Sequence, residues 1–345
     1  MRFSWRRSQQ ARPRAAVAAP EPAAAMPSSA PQSRAELVEV MLRSARWALL
    51  LRPALAKDLS LDQLHRAFDA LREHSACLPA GIVHVDRWQI DAPGSESHCP
   101  EYDPIEVETV YLDRYAVTNN QFQAFVEQGG YRQESLWQPD VWPRVIEFVD
   151  STGCQGPRDW IDGQHAADFR QHPVVGINWF EADAYARWLG KRLPTSAEWV
   201  KAACSPLETE AEPIQRKYPW SDSFDHGRAN LWSSGRGGTA AVDEFAQGDS
   251  LEGVRQLIGN VWEWTASGVE VWSHGNKATP SQPLKCIRGG SFDTYFDSQT
   301  TCQFQSGDTL LARRHNIGFR CAVSAYDLAP LCEDNAAPEL VAEAS

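Results

Sequence analysis

Gly259-Asn260-Val261-Trp262-Glu263-Trp264 is a combination that an ordinary core strand or helix does not need. Gly259 frees the backbone to turn, Asn260 and Glu263 supply side-chain oxygens, and Trp262 and Trp264 are large enough to anchor the loop by burial. Such a turn can hold a hard cation or pin one loop onto another. Equally, Asn260 and Glu263 could serve only to hydrogen-bond the backbone of a long loop.

The surrounding chain favours a loop-rich fold pinned by indoles. Its 345 residues include 14 Trp, although hydrophobic residues make up an ordinary 43%, so the excess lies in aromatic anchors. A net charge of −12 argues against a surface that tracks phosphates, and no nucleic-acid partner is expected. The one basic cluster, Arg2, Arg6, Arg7, Arg12 and Arg14, sits in an Ala/Pro/Ser-rich stretch over residues 1–34 that is expected to be disordered. Arg6 and Arg7 invite a twin-arginine export reading, but Pro20, Glu21 and Pro22 break the apolar segment it requires. No apolar run is long enough to span a bilayer. A cytoplasmic address without a membrane partner is the resulting expectation. The cysteines, Cys77, Cys99, Cys154, Cys204, Cys286, Cys302, Cys321 and Cys332, contain no Cys-x-x-Cys pair and read as reduced thiols packed as small hydrophobes.

Residues 35–79 carry a helical pattern: Leu37, Met41, Ala45 and Leu49 recur at helical spacing, Pro53 interrupts, and Leu61, Leu64, Phe68 and Leu71 resume it after Ser60 or Asp62. From residue 80 to about 328 the texture changes to short strands joined by polar loops, and residues 329–345 form an acidic tail. Gly81–Val85, Val107–Leu112 and Ile287–Phe292 read as strands; Val117–Glu127, capped by Thr118 or Asn119, and Phe180–Gly190 read as helices. In Thr195-Ser196-Ala197-Glu198 a capping box opens a further helix. The fold class expected is α+β.

Taken in order, these motifs resemble one family. His172-Pro173-Val174-Val175-Gly176-Ile177-Asn178-Trp179, Gly190-Lys191-Arg192-Leu193-Pro194-Thr195, Arg228-Ala229-Asn230-Leu231, the turn at 259–264, Arg288-Gly289-Gly290-Ser291-Phe292 and Asn316-Ile317-Gly318-Phe319-Arg320 resemble the formylglycine-generating enzymes, or sulfatase-modifying factors, over roughly residues 105–325. The resemblance implies a loop-rich variant of the C-type lectin fold. It also implies calcium held by Asn260 and Glu263 with the carbonyl of Val261. A second calcium site would begin at Asn230 with the Leu231 carbonyl, but the loop that follows carries Arg236 and lacks the family's carboxylate.

The family's chemistry is the oxidation of a substrate cysteine by oxygen, with copper held by two cysteines shortly after the Gly-Gly-Ser motif. Those positions fall on Thr294 and Gln299, and neither can supply a thiolate. Cys302 is the nearest thiol, a candidate catalytic residue only if Cys286 or Cys321 approaches it in space. A second branch of the family binds non-haem iron through a His-x3-His-x-Glu run on an added helical domain; residues 35–78 hold no such run. Neither copper nor iron is therefore expected, and formylglycine formation is disfavoured. What remains is a polar, aromatic region in which Ser291, Asp293, Tyr295, Asp297, Gln299, Gln303, Arg313 and His315 are expected to face a peptide, protein or small-molecule ligand. The leading reading is a recognition module; the alternative is an oxygen-dependent metal oxidoreductase acting on a thiol or peptide.

Overall fold

The structure, a computed structural model, describes residues 33–89, 102–206, 215–273, 276–278 and 280–330; the two expected tails lie almost wholly outside these residues. In chain order the elements are α1 (Arg34–Arg43), α2 (Trp47–Leu50), α3 (Pro53–Ala56), α4 (Leu61–His74), β1 (Ser75–Leu78), β2 (Gly81–Asp86), β3 (Trp88–Gln89), β4 (Tyr102–Val107), β5 (Val110–Asp113), α5 (Asn119–Glu127), α6 (Trp179–Trp188), α7 (Ser196–Cys204), β6 (Trp262–Gly268), β7 (Val271–Ser273), β8 (Asn276–Ala278), β9 (Leu284–Arg288), β10 (Gln305–Thr309), β11 (Ile317–Gly318) and β12 (Ala322–Ser324). Long loops and short 3-10 turns connect them. Among the described residues no helix is long and apolar enough to cross a membrane.

Local chemistry explains where the helices begin. Thr118 with Gln121, Asn178 with Glu181 and Thr195 with Glu198 each form a reciprocal capping box, which satisfies backbone donors at the first turns of α5, α6 and α7. Helix α6 therefore starts at Trp179, one residue earlier than its apolar pattern suggests. Its Tyr185 and Trp188 meet Phe125 of α5 at ring-centroid distances of 5.7 Å, and Tyr185 also lies 5.4 Å from Phe319. These edge-to-face contacts form the aromatic centre of the main core.

The N-terminal helices are not a separate unit. Helix α4 runs directly into β1, and β1 pairs with β5 in a three-stranded sheet ordered β1-β5-β12. Trp47, Leu50, Phe68 and Leu71 share one apolar cluster with Val323 and Leu328 from the far end of the chain. A boundary at residue 79 thus cuts through a continuous structure. The approach is tightest at Gly190, which has φ +76°; a Cβ there would stand 2.7 Å from the Leu49 backbone.

The 259–264 turn is half turn and half strand. Gly259 and Asn260 both have positive φ, after which Trp262 enters β6, the inner strand of a sheet ordered β10-β9-β6-β11. A Cβ on Gly259 would lie 2.5 Å from the Asn230 carbonyl oxygen, so glycine is required for the loops to meet. Asn260 spends its whole amide on neighbouring loops: Oδ1 accepts from Asn230 Nδ2 (3.1 Å) and Ala240 N (2.7 Å), while Nδ2 donates to Ala240 O (3.0 Å) and Gln256 Oε1 (2.7 Å).

Glu263 points elsewhere. Its carboxylate accepts two hydrogen bonds from Arg320 (2.6 and 2.7 Å) and one from Trp199 Nε1 (2.8 Å). Arg320 donates its remaining N–H groups to the carbonyls of Asp113, Arg114 and Arg255. Glu263 is 1% exposed and Arg320 0%. Hence the calcium site expected at Asn260, Val261 and Glu263 does not fit these residues, because a cation at Glu263 would have to displace a bidentate guanidinium. At the second expected site Asn230 Oδ1 accepts from Ser234 Oγ (2.8 Å), the Leu231 carbonyl accepts from Ser234 N (2.9 Å), and Arg236 pairs with Glu244.

Three outcomes follow. Glu263→Gln, which leaves the buried guanidinium unpaired, is expected to lower unfolding stability by about 3–5 kcal/mol in urea titrations, with Arg320→Met comparable. Gly190→Ala is expected to cost about 1–3 kcal/mol from its left-handed backbone conformation alone, with hydrogen exchange showing the loss in α1–α4 first. Chelation of calcium is expected to leave the melting temperature unchanged; a fall reversed by added calcium would reinstate an ion in this turn.

Candidate functional site

Beyond β9 the chain makes two left-handed glycines, Gly289 and Gly290, and then a tight turn that gathers polar side chains. Ser291 N donates to Thr294 Oγ1 (2.9 Å), and Ser291 Oγ donates to Asp293 Oδ1 (2.6 Å). Asn316 Nδ2 donates to both Asp293 oxygens (3.0 and 3.1 Å), and the His315 ring lies 3.2 Å from Oδ2 through Nε2. Burial pushes the Asp293 carboxyl up, but the bonds from Ser291 and Asn316, with the His315 ring, bring it below its ordinary value. Asp293 is thus held as an anion. With a carboxylate as partner, His315 Nε2 is the donor, which leaves Nδ1 as an acceptor when the ring is neutral.

His315 and Phe292 form one wall of a cavity of about 300 Å³. The opposite wall comes from more than a hundred residues upstream: Trp160, His165, Phe169, Pro173 and Val175, with Asn119 and Thr239 at the sides. Asn119 is committed to structure, accepting from Trp160 Nε1 (3.0 Å) and donating to Phe169 O (3.0 Å). His165 Nδ1 lies 2.8 Å from the Ala166 carbonyl, so that nitrogen carries the proton and Nε2 is an acceptor. His172 packs behind the wall, its ring 4.8 Å from that of Phe169 and its Nδ1 2.9 Å from Thr239 Oγ1; burial pushes its pKa down. No lysine or arginine lines the cavity among the described residues. Its polar groups, which include Asn119, Asp159, His165, Thr239 and His315, are set in apolar walls.

Next to the cavity stands a ridge of exposed rings. Trp232, Tyr295 and Phe296 are 59%, 67% and 61% exposed, and Tyr295 touches both others, with centroids 6.2 Å from Trp232 and 5.3 Å from Phe296. A bond from Trp232 N to the Thr294 carbonyl (3.3 Å) ties the two loops together. Asp297 and Gln299 lie on the 3-10 turn that follows.

Of the residues expected here, Asp293, Tyr295, Asp297, Gln299 and His315 are at least partly exposed on these loops, and three are not free to face a ligand: Ser291 is 0% exposed, its hydroxyl bonded to Asp293. Arg313 turns inward, donating to the carbonyls of Val149 (2.6 Å) and Gly156 (2.5 Å) and to Glu181 Oε1 (3.0 Å). It is the counter-ion of a fully buried carboxylate, not a ligand contact. Gln303 pegs β2, donating to His84 O (2.8 Å) and accepting from Asp86 N (3.0 Å). Cys302 is fully buried, and burial together with a hydrogen bond to Cys204 pushes its thiol well above the ordinary range. Its neighbour is thus Cys204 and not Cys286, whose sulfur faces Ser196 Oγ at 3.7 Å. A thiol so placed is a poor nucleophile. Sequence reasoning missed Trp160, His165, Phe169 and Trp232; large aromatics stranded in polar loops were the available signal.

A sulfatase-modifying factor enzyme 1-like domain is matched over residues 70–325. The hercynine oxygenase of Mycolicibacterium thermoresistibile is 36% identical over 241 residues, covering 63% of this chain and 51% of that protein; the chain therefore spans about half the length of that relative. The formylglycine-generating enzyme of Thermomonospora curvata is 31% identical over 310 residues, 74% of this chain and 97% of its own. The inactive C-alpha-formylglycine-generating enzyme 2 of Bos taurus is 29% identical over 282 residues, 72% and 87% respectively. Among solved structures, PvdO from Pseudomonas aeruginosa aligns with a TM-score of 0.48 and 21% identity, covering 72% of this chain and 93% of its own. With three quarters of the chain matched to one domain, and with its motifs gathered on one α+β framework, this protein belongs to the formylglycine-generating enzyme, or sulfatase-modifying factor, family.

Proposed function

We propose that this family member is a recognition module, in which the cavity beside His315 and the ridge of Trp232, Tyr295 and Phe296 bind a peptide or small-molecule ligand. One observation carries the reading. The place where the family's copper thiolates belong holds Thr294, whose hydroxyl is tied to Ser291 N (2.9 Å), and Gln299, while solvent-exposed aromatic rings crowd the same turn. Exposed contiguous rings are costly unless something covers them, and aromatic anchors dominate the energetics of binding surfaces. The aromatic and apolar lining of the cavity, with a few polar groups and no lysine or arginine among the described residues, favours a ligand with an apolar body and a few hydrogen-bonding groups. The similarity to a mammalian relative named as inactive is consistent with a fold retained after its chemistry was lost.

A second reading, an oxygen-dependent oxidoreductase using copper or non-haem iron on a thiol or peptide, draws on the 36% identity to hercynine oxygenase. The residues do not favour it: positions 294 and 299 carry no thiol for copper, and among the described residues no group of three His, Cys, Asp or Glu side chains converges as an iron site would need.

A single protocol separates the two. Displayed peptide libraries panned on the purified protein are expected to yield binders whose affinity falls on the order of tenfold or more in Trp232→Ala and Tyr295→Ala. Metal inventory and oxygen uptake with thiol substrates are expected to be blank. Stoichiometric copper or iron, lost in Cys302→Ala together with oxygen uptake, would replace recognition with catalysis.

A further inference from the structure

Helices α1–α4 meet the rest of the fold along a seam whose centre is polar. A cavity of about 30 Å³ lies there, lined among others by Trp47, His74, Asp113, Gln121, Tyr185 and Lys191, with room for about two water molecules. His74 ends α4, and its ring stacks on Trp47 of α2 with centroids 4.8 Å apart and planes at 14°. Its Nδ1 is buried without a hydrogen-bond partner, while its backbone carbonyl accepts from Arg114 N (3.0 Å). The ring is therefore held in place from two sides and left unsatisfied on the third.

No hydrogen bond from any facing element reaches Nδ1 of this ring. From the β5 side, the Asp113 carboxylate already accepts from Lys191 Nζ (2.5 Å) and Ser75 Oγ (3.0 Å). Lys191, whose side chain is 3% exposed, faces the seam with a positive charge, and Arg114 adds another. Glu73, the neighbour on α4, acts in the opposite sense. From α6, the Tyr185 phenol is pushed well above its ordinary range by burial, and burial also raises Tyr115 beyond β5; both stay neutral and offer no countercharge. Burial is the largest influence on His74 and lowers its pKa from 6.5; Lys191 and Arg114 reinforce it, while Glu73 and Asp113 oppose it.

We propose that His74 is a pH-sensitive latch for the N-terminal helical layer, which is seated on the rest of the fold while the ring is neutral and loosened when the ring is protonated. The sign follows from linkage. A group with a folded-state pKa below its unfolded value contributes stability that is fully present above the unfolded pKa, about 6.5 for histidine, and lost as pH falls through the folded value. The ion pair of Arg52 and Asp327 (2.8 Å) also ties the layer down. The seam also shares the first turn of α5 with the ligand cavity: Gln121 faces the seam and Asn119 the cavity.

Hydrogen exchange on the full chain tests this, comparing amides of α1–α4 with those of β6 and β9 at pH 7.5 and pH 5.0 after correction for intrinsic rates. Wild type is expected to lose protection selectively in α1–α4 at pH 5.0. His74→Phe, which keeps the ring stack on Trp47 and cannot be protonated, is expected to retain it. Equal protection of the layer at both pH values in wild type would overturn the proposal, as would the same loss in His74→Phe. If His74→Phe already exposes the layer at pH 7.5, His74→Gln is read in its place: protection independent of pH supports the latch, and a fall matching wild type overturns it.

Discussion

The ion pair between Glu263 and Arg320 joins segments that are far apart in the chain. A guanidinium removed from water must have every N–H satisfied, and Arg320 achieves this with two bonds to Glu263 and three to the carbonyls of Asp113, Arg114 and Arg255. Those carbonyls belong to the end of β5 and to the loop before the 259–264 turn. One buried charge therefore fixes the distance between the β1-β5-β12 sheet and the β10-β9-β6-β11 sheet. Trp199, donating to the same carboxylate, brings α7 into the joint. Because the desolvation of such a pair is expensive unless its geometry is complete, the surrounding loops have little freedom to drift.

That rigidity positions the candidate site. The Gly289–Gly290 turn leaves β9 directly after its pairing with Glu263, and Asn316 precedes β11, which pairs with Trp262. Asp293, His315 and Asn316 meet because both flanking strands are bonded to β6. The aromatic ridge and the cavity beside it are loop features on a stiff frame, an arrangement that suits recognition by side chains that can vary without disturbing the fold.

Much of this was legible from residue patterns. The capping box at Thr195 and the cap at Thr118 depend on side chains three residues apart, so their mechanism is local; the same box at Asn178 went unread, and α6 starts one residue earlier than expected. Aromatic anchoring and the positive φ at Gly259 were likewise readable, since each follows from the chemistry of one or two residues. The errors share a different cause. Arg313 and Gln303 look like ligand contacts in a polar stretch, yet their partners, Glu181 and His84, lie far away in sequence. Glu263 resembles a metal ligand until Arg320 occupies it. Cys302 was paired in expectation with Cys286 or Cys321, whereas the end of α7 delivers Cys204.

Local sequence determined the family, the α+β class, the helix starts and the absence of thiols at positions 294 and 299, because these depend on residue identity and short-range spacing. Tertiary structure alone decided which polar side chains are free to act. A buried charge takes whatever partner the fold brings to it, and that choice left Asp293 and His315 at the surface site while turning Arg313, Gln303 and Glu263 inward to hold the frame.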